Sequence, residues 1–228
     1  MSLAPPEAEG PLRRERLRTA RLYFCCDARP NGEDPEPLLA AALRGGVDIV
    51  QLREKSLPRR EIELAAQTFR RLCDNHSALF IVNDDPDLAR SCDADGVHVG
   101  QDDTAVAEAR ALLGPDAIIG LSTHSEEQIA ASAEAPVDYV SVGPIWETPT
   151  KQGRPAVGLE LISHAAANVS HPFFAIGGID VSNVSAVIEA GARRLCVVRA
   201  IRDAENPTAA AEGLRAAFAP LGEEAPGG

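Results

Sequence analysis

Short apolar runs alternate along the chain with longer stretches of helical spacing, eight times over. The runs are Leu22–Cys26, Asp48–Leu52, Leu79–Val82, Gly96–Gly100, Ile118–Leu121, Tyr139–Val142, Phe173–Ile176 and Leu195–Val198. Runs of this length, bounded by polar residues, read as parallel strands buried on both faces. Helices are expected over Leu38–Arg44, stopped by Gly45-Gly46, and from Pro58 to about Asn75, with Ile62, Ala65, Ala66, Phe69 and Leu72 on one stripe. Another spans Thr104–Leu113, and one opens at Ser125 with Gln128 closing a capping box. Others start at Leu159, cross Val181–Ala190, and run from Pro207 to about Phe218, while the residues from Pro86 suffice for a short crossover helix. Eight strand-then-helix units describe an α/β chain forming a single (β/α)8 TIM barrel. An open doubly wound sheet is the alternative, but polar residues follow at least six strands, whereas an open sheet gathers its ligand groups at one switch point.

Composition narrows the class. With 228 residues and 45% hydrophobic content, the chain can bury a full core as one domain. We expect an N-terminal extension over residues 1–20, disordered to about Gly10 and then a short Arg-rich helix from Pro11 to Ala20. The barrel follows over 21–219, and residues 220–228 read as a disordered tail. No apolar run reaches the length of a membrane span, and no apolar core follows the N-terminal charges, so neither a membrane partner nor secretion is expected. A net charge of −12 argues against nucleic acid as a partner. The five cysteines, Cys25, Cys26, Cys73, Cys92 and Cys196, show no Cys-x-x-Cys spacing and read as reduced thiols in a cytoplasmic protein. Lys55 and Lys151 are the two lysines among 22 basic residues, which suggests that a compact ammonium is needed at both places, with chance retention as the competing explanation.

The candidate chemistry lies where strands end. Leu79–Val82 stops at Asn83-Asp84-Asp85-Pro86, and Gly96–Gly100 stops at Gln101-Asp102-Asp103. Neighbouring parallel strands bring their C-terminal ends together, so Asp84 and Asp103 should meet, and oxygen ligands of that kind suit Mg²⁺. An acid after a strand is also often a helix N-cap. Gln51, Arg53 and Lys55 follow the second strand, Ser122 and His124 the fifth, and Thr148, Thr150 and Lys151 lie in the long loop after the sixth. Gly177-Gly178 stands at a helix start, where backbone N–H groups favour a phosphate, and barrels often place one after strands seven and eight. Two lysines, an arginine and Mg²⁺ fit a diphosphate leaving group.

QLREK (Gln51–Lys55), VNDD (Val82–Asp85), DGVHVGQDD (Asp95–Asp103), GLSTHS (Gly120–Ser125), VGPIWETPTK (Val142–Lys151), AIGGI (Ala175–Ile179) and VVRAI (Val197–Ile201) resemble the thiamine-phosphate synthase family in order and spacing. The resemblance runs from about Leu22 to Phe218. It implies a (β/α)8 barrel that joins 4-amino-5-hydroxymethyl-2-methylpyrimidine diphosphate to 4-methyl-5-(2-phosphoethyl)thiazole, releasing diphosphate with Mg²⁺ as cofactor. It also implies that Asp84 and Asp103 hold the metal. Gln51, Arg53, Lys55, Asn83, Ser122 and Lys151 would line the pyrimidine diphosphate site, with Arg53, Lys55, Lys151 and Ser122 as its catalytic members. Thr148, Thr150 and Gly178 would line the thiazole phosphate site, completed by Val198 and Arg199 through backbone N–H groups. The family often has Ser where this chain has Arg199, so a guanidinium replaces a hydroxyl there.

The expected chemistry is loss of diphosphate from an electron-rich aminopyrimidine and capture of the resulting cation by the thiazole nitrogen. It requires no protein nucleophile and no obvious general base. His98 and His124 lie near the mouth, where His98, being inside a strand, reads as a structural histidine with ligand contact as the alternative. Trp146 reads as packing in the long loop, with ring stacking as the alternative. The thiazole tautomerase relatives share the barrel, the Gly-Gly phosphate site and a histidine after strand five. They generally lack the acidic and amide groups that serve the diphosphate, whereas Asn83, Asp84, Asp103, Arg53 and Lys55 are all present here. A non-catalytic barrel that binds thiazole phosphate is a third reading and would show a degraded metal site. The expected partners are small-molecule substrates, and assembly as a homo-oligomer is compatible with all three readings.

Overall fold

The computed structural model describes residues 9–148 and 155–219. Eight parallel strands close into a barrel in chain order, the last pairing back to the first. They are β1 (Leu22–Cys26), β2 (Ile49–Leu52), β3 (Leu79–Asn83), β4 (Gly96–Val99), β5 (Ile118–Thr123), β6 (Tyr139–Val142), β7 (Phe173–Ile176) and β8 (Leu195–Val197). Helices α2 (Pro35–Arg44), α3 (Arg59–His76), α4 (Pro86–Ser91), α5 (Val106–Leu113), α6 (Glu126–Ser132), α7 (Glu160–Asn168), α8 (Val184–Glu189) and α10 (Pro207–Ala216) alternate with them. The expected barrel is therefore present, with differences at strand ends. β5 runs on through Ser122 and Thr123, which pair with Ser141 and Val142, because the Thr123 hydroxyl donates to the Ser141 carbonyl at 3.0 Å and needs no solvent. β8 ends one residue early because Val198 turns into an additional one-turn helix, α9 (Arg199–Arg202).

Strand alternation splits the core into two clusters. Outward residues such as Phe24, Val50, Phe80 and Val140 pack beneath the helices, whereas Tyr23, Ile49, Ile81, Tyr139, Phe174 and Cys196 fill the barrel. Inside, the Phe174 ring stands edge-on to Tyr23 and Tyr139 at centroid distances of 5.3 and 5.5 Å, a favoured aromatic geometry.

The N-terminal helix α1 (Glu9–Thr19) begins two residues before the expected start and belongs to the barrel's own core. Its Leu17, together with Ala20, is buried against the interior cluster and plugs the barrel at the strands' N-terminal ends. Three aspartates, each immediately preceding an even-numbered strand, organise that end. Asp48 accepts from the Arg21 and Leu22 N–H groups, Asp95 from Phe80 N–H, and Asp138 from Ile119 N–H, at 2.8–3.0 Å. Each carboxylate also receives arginine: Arg215 on Asp48, Arg13 and Arg70 on Asp95, Arg14 and Arg110 on Asp138. Each bracket ties an odd strand to the following even one, and two of them anchor α1. Of the ends expected to be unstructured, residues 1–8 and 220–228 lie outside the described residues, whereas Glu9 and Gly10 belong to α1.

Candidate active site

At the other end the strand termini surround a cavity of about 310 Å³. Its wall includes Gln51, Arg53, Asn83, Ser122, Thr148, Gly178, Val198 and Arg199, which come from six different strands or the loops that follow them. Thr150 and Lys151, expected beside them, lie outside the described residues.

Gln51 is buried on β2, its side-chain nitrogen donating to the Tyr23 hydroxyl at 2.6 Å. Arg53 follows that strand and stays in register because its N–H donates to the Cys26 carbonyl at 2.9 Å. Lys55 does not reach the cavity wall; it is exposed at the rim, with Nζ 3.1 Å from Asp84 Oδ2. The turn that carries it is drawn together by Glu54, whose carboxylate accepts from the Lys55 N–H, the Ser56 N–H and the Ser56 hydroxyl at 2.8–2.9 Å. Burial alone would push the Glu54 carboxyl up, but these bonds outweigh it and hold it below its ordinary value.

The two competing readings of the acids separate cleanly at Asp84-Asp85. Asp85 is the N-cap of α4, accepting from the Leu88 N–H at 2.8 Å, and it also pairs with Arg59. Asp84 takes a left-handed φ of 61°, with its own N–H donating to the His98 carbonyl at 2.8 Å, and its side chain turns towards Lys55 and Asp103. Burial first, and then the hydrogen bond with Asp103, raise the Asp84 carboxyl above its ordinary value, while Lys55 pulls it back down. Asp103 itself accepts from the Gly100 N–H at 2.9 Å.

No cluster of three or more His, Cys, Asp or Glu side chains with metal-binding geometry occurs among the described residues. A pair of carboxylates is nevertheless what Mg²⁺ ordinarily takes from a protein, filling the rest of its shell with water and phosphate. Two acids in contact, one held above its ordinary affinity for protons, form a place where added positive charge lowers the energy. Asp84 and Asp103 therefore fit such an ion.

Opposite the acids, Gly177 and Gly178 have φ values of 108° and 71°, a region that favours glycine. A Cβ on Gly177 would lie 2.5 Å from the Pro144 Cα, and one on Gly178 3.0 Å from the Trp146 Cβ, so the bare backbone lets the loop after β6 lie against the loop after β7. Trp146 packs against the outer core in that loop, as its sequence context suggested. Val198 and Arg199 adjoin this corner through α9, where the first amides of a helical turn lack intrahelical acceptors. Arg202 forms two hydrogen bonds with Asp203, which hold that carboxyl below its ordinary value and neutralise an acid on the cavity wall.

The polar floor of the cavity was missed by reasoning from the sequence. Tyr23, Cys25, Ser141 and Cys196 line it, joined by two residues that the sequence does place near the mouth: His98, there read as structural, and His124, whose Nδ1 meets the Gly143 carbonyl. The signal available was strand alternation: polar atoms at inward positions of runs that otherwise look uniformly apolar.

The sequence matches the family described as thiamine monophosphate synthase over residues 22–201. It is 51% identical over 204 residues to a thiamine-phosphate synthase of Thermobifida fusca, covering 89% of this chain and 94% of that one. It is 52% identical over 201 residues to a thiamine-phosphate synthase of Streptomyces avermitilis, covering 87% and 94%. Among solved structures, thiamine phosphate pyrophosphorylase from Pyrococcus furiosus superposes with a TM-score of 0.82 at 31% identity, covering 92% of this chain and 99% of that one.

Proposed function

The chain belongs to the thiamine monophosphate synthase family and is a transferase of thiamine biosynthesis, and from that premise we propose how its residues divide the reaction. Gln51, Arg53, Asn83 and Ser122 receive the pyrimidine diphosphate, joined by Lys151 and, from the rim, Lys55. Gly178, Thr148, Thr150 and the backbone at Val198 and Arg199 receive the thiazole phosphate. The observation that carries this reading is one cavity whose wall holds the amide, guanidinium and hydroxyl groups on one side and the two-glycine turn with α9 on the other.

Holding two ring systems in one cavity converts a bimolecular substitution into an effectively unimolecular one. Arg53, Lys55 and Lys151 place positive charge where the diphosphate leaves, and such preorganised charge acts on the transition state more than on the ground state. Asp84 and Asp103 would hold Mg²⁺, which when bound supplies further charge stabilisation to the departing diphosphate. Lys55, already against Asp84, keeps the acid pair compensated. The guanidinium of Arg199, exposed beside the two-glycine turn, adds positive charge at the monophosphate. No helix among the described residues is long and apolar enough to cross a membrane, and five free cysteines suit a reducing cytoplasm.

A turnover assay tests the proposal. The protein should release diphosphate from the pyrimidine substrate only when thiazole phosphate is present, and faster with Mg²⁺. Thiazole-independent release, or binding of both substrates without product, would sink it. The presence of Arg53, Asn83 and the paired acids around the same mouth favours this reading over a tautomerase.

A further inference from the structure

A chain of hydrogen bonds crosses the barrel beneath the cavity and ends on Ser122. Gln51 Nε2 donates to the Tyr23 hydroxyl at 2.6 Å, and the Cys25 thiol donates to Gln51 Oε1 at 3.2 Å. The Tyr23 and Tyr139 hydroxyls are 2.9 Å apart, the Tyr139 hydroxyl is 3.0 Å from His98 Nδ1, and His98 Nε2 is 2.9 Å from Ser122 Oγ. Tyr23, Gln51, His98, Ser122 and Tyr139 are each no more than 7% exposed.

Counting protons gives this chain a direction. A phenol has one proton to donate. Tyr23 accepts from Gln51, and among the described residues its other hydrogen-bond partner is Tyr139, so its proton goes to Tyr139. Tyr139, accepting there, gives its own proton to His98 Nδ1, which must therefore present a lone pair. An imidazole with a bare Nδ1 carries its proton on Nε2, and that proton goes to the nearer hydroxyl, Ser122 Oγ at 2.9 Å, ahead of Ser141 Oγ at 3.4 Å. Ser122 consequently accepts from the barrel, with Ser141 as a more distant neighbour at 3.5 Å, and its own proton faces the cavity that it lines. Burial raises both phenols well above their ordinary value, so no phenolate interrupts the row. Reversing it would require the Gln51 amide to turn over, so that its N–H₂ faced the Cys25 sulfur, a weak acceptor, and the thiol gave up Gln51 Oε1 for Cys196 Sγ at 3.6 Å.

We infer that His98 and Tyr139 are positioning residues for the reaction, fixing Ser122 as a hydrogen-bond donor aimed at the oxygen of the departing diphosphate. The donors are aligned head to tail, so each polarises the next, and the positive end of the row is the Ser122 proton. A dipole set in advance at a point where negative charge accumulates needs no reorganisation when the bond breaks. The inference rests on the assignment of Ser122 to the diphosphate side of the cavity.

The tautomer can be read without any reaction, in the ligand-free wild-type protein carrying ¹⁵N-histidine. Long-range ¹H–¹⁵N correlation, with the His98 signals assigned by their loss in His98→Gln, should show a protonated Nε2 and a bare Nδ1. A proton on Nδ1 would overturn the inference even if the enzyme makes thiamine phosphate. Kinetics then test the coupling. His98→Leu should lower kcat about tenfold with the KM for thiazole phosphate unchanged, while His98→Gln, whose amide nitrogen reaches the place of Nε2, restores most of it. In a Ser122→Ala background His98→Leu should cost nothing further, because the group through which it acts is gone. A full tenfold loss in that background would show a merely structural role. If the wild-type protein turned over no pyrimidine diphosphate, the functional assignment would fail while the tautomer measurement still stood.

Discussion

Asp84 and Asp103 close on each other from the ends of two adjacent strands, with the Lys55 ammonium 3.1 Å from Asp84. Two carboxyl groups so placed are a liability without a cation and a ligand pair with one. We therefore predict opposite effects of Asp84→Asn and Asp103→Asn in two measurements. In chelator the variants should melt at or above the wild-type temperature, since like charge has been removed. With Mg²⁺ in hundredfold excess over its dissociation constant, wild type should gain about 2.7 kcal/mol that the variants lack. Turnover at limiting Mg²⁺ should fall at least about a hundredfold in either variant. Equal Mg²⁺ stabilisation of all three proteins would remove the acids from the metal site.

Gly178 sits at φ 71° with the Trp146 Cβ 3.0 Å from where its own Cβ would be. We predict that Gly178→Ala raises the KM for thiazole phosphate severalfold, because the methyl crowds the monophosphate corner and strains the turn. The KM for the pyrimidine diphosphate should stay within about twofold. Parallel increases in both constants would place the phosphate elsewhere.

Asp95 is buried and receives the Phe80 N–H and two arginines at the closed end of the barrel. Asp95→Ala should cost about 3–5 kcal/mol of unfolding free energy, because it strands both guanidinium groups and a strand N–H. At a temperature where the variant remains folded, both KM values should equal those of wild type. Urea unfolding with parallel kinetics checks both halves of the expectation.

The thiols give a chemical prediction. Burial pushes Cys26 and Cys73 far above the usual thiol range and Cys92 up to about 11, so none presents an appreciable thiolate at neutral pH. A disulfide-exchange reagent should react slowly with these three in the folded protein and with all five cysteines once it is unfolded. Fast reaction of Cys73 in the native state, located by peptide mapping, would show that the outer layer opens.

The barrel is legible in the sequence because strands covered on both faces leave unbroken apolar runs that stop abruptly, as at Val82 and Val142. The rim groups are legible for the complementary reason: polar residues directly after such runs have one mouth to occupy. The same continuity hides which side chains point inward, so the floor built from Tyr23, Cys25, Ser141 and Cys196 gives little signal. The choice between Asp84 and Asp85 turns on one backbone φ, which either aspartate tolerates and composition does not fix. α1 is hidden for another reason. It is rich in arginine and buries little apolar surface beyond Leu17, and its attachment runs through Asp95 and Asp138, more than 80 residues away in the chain.

The aspartate brackets on Asp48, Asp95 and Asp138 share no residue with the wall of the cavity. Three of the strand pairs, β1–β2, β3–β4 and β5–β6, are thus tied at one end of the barrel, while the groups proposed to carry the chemistry stand at the other. The molecule is in effect a chassis: loops of different length or charge could be grafted after β2, β6 or β7 without disturbing the strand pairing beneath. Selection for new substrates would then meet its strongest resistance not at the rim but at three acids that lie outside the cavity wall.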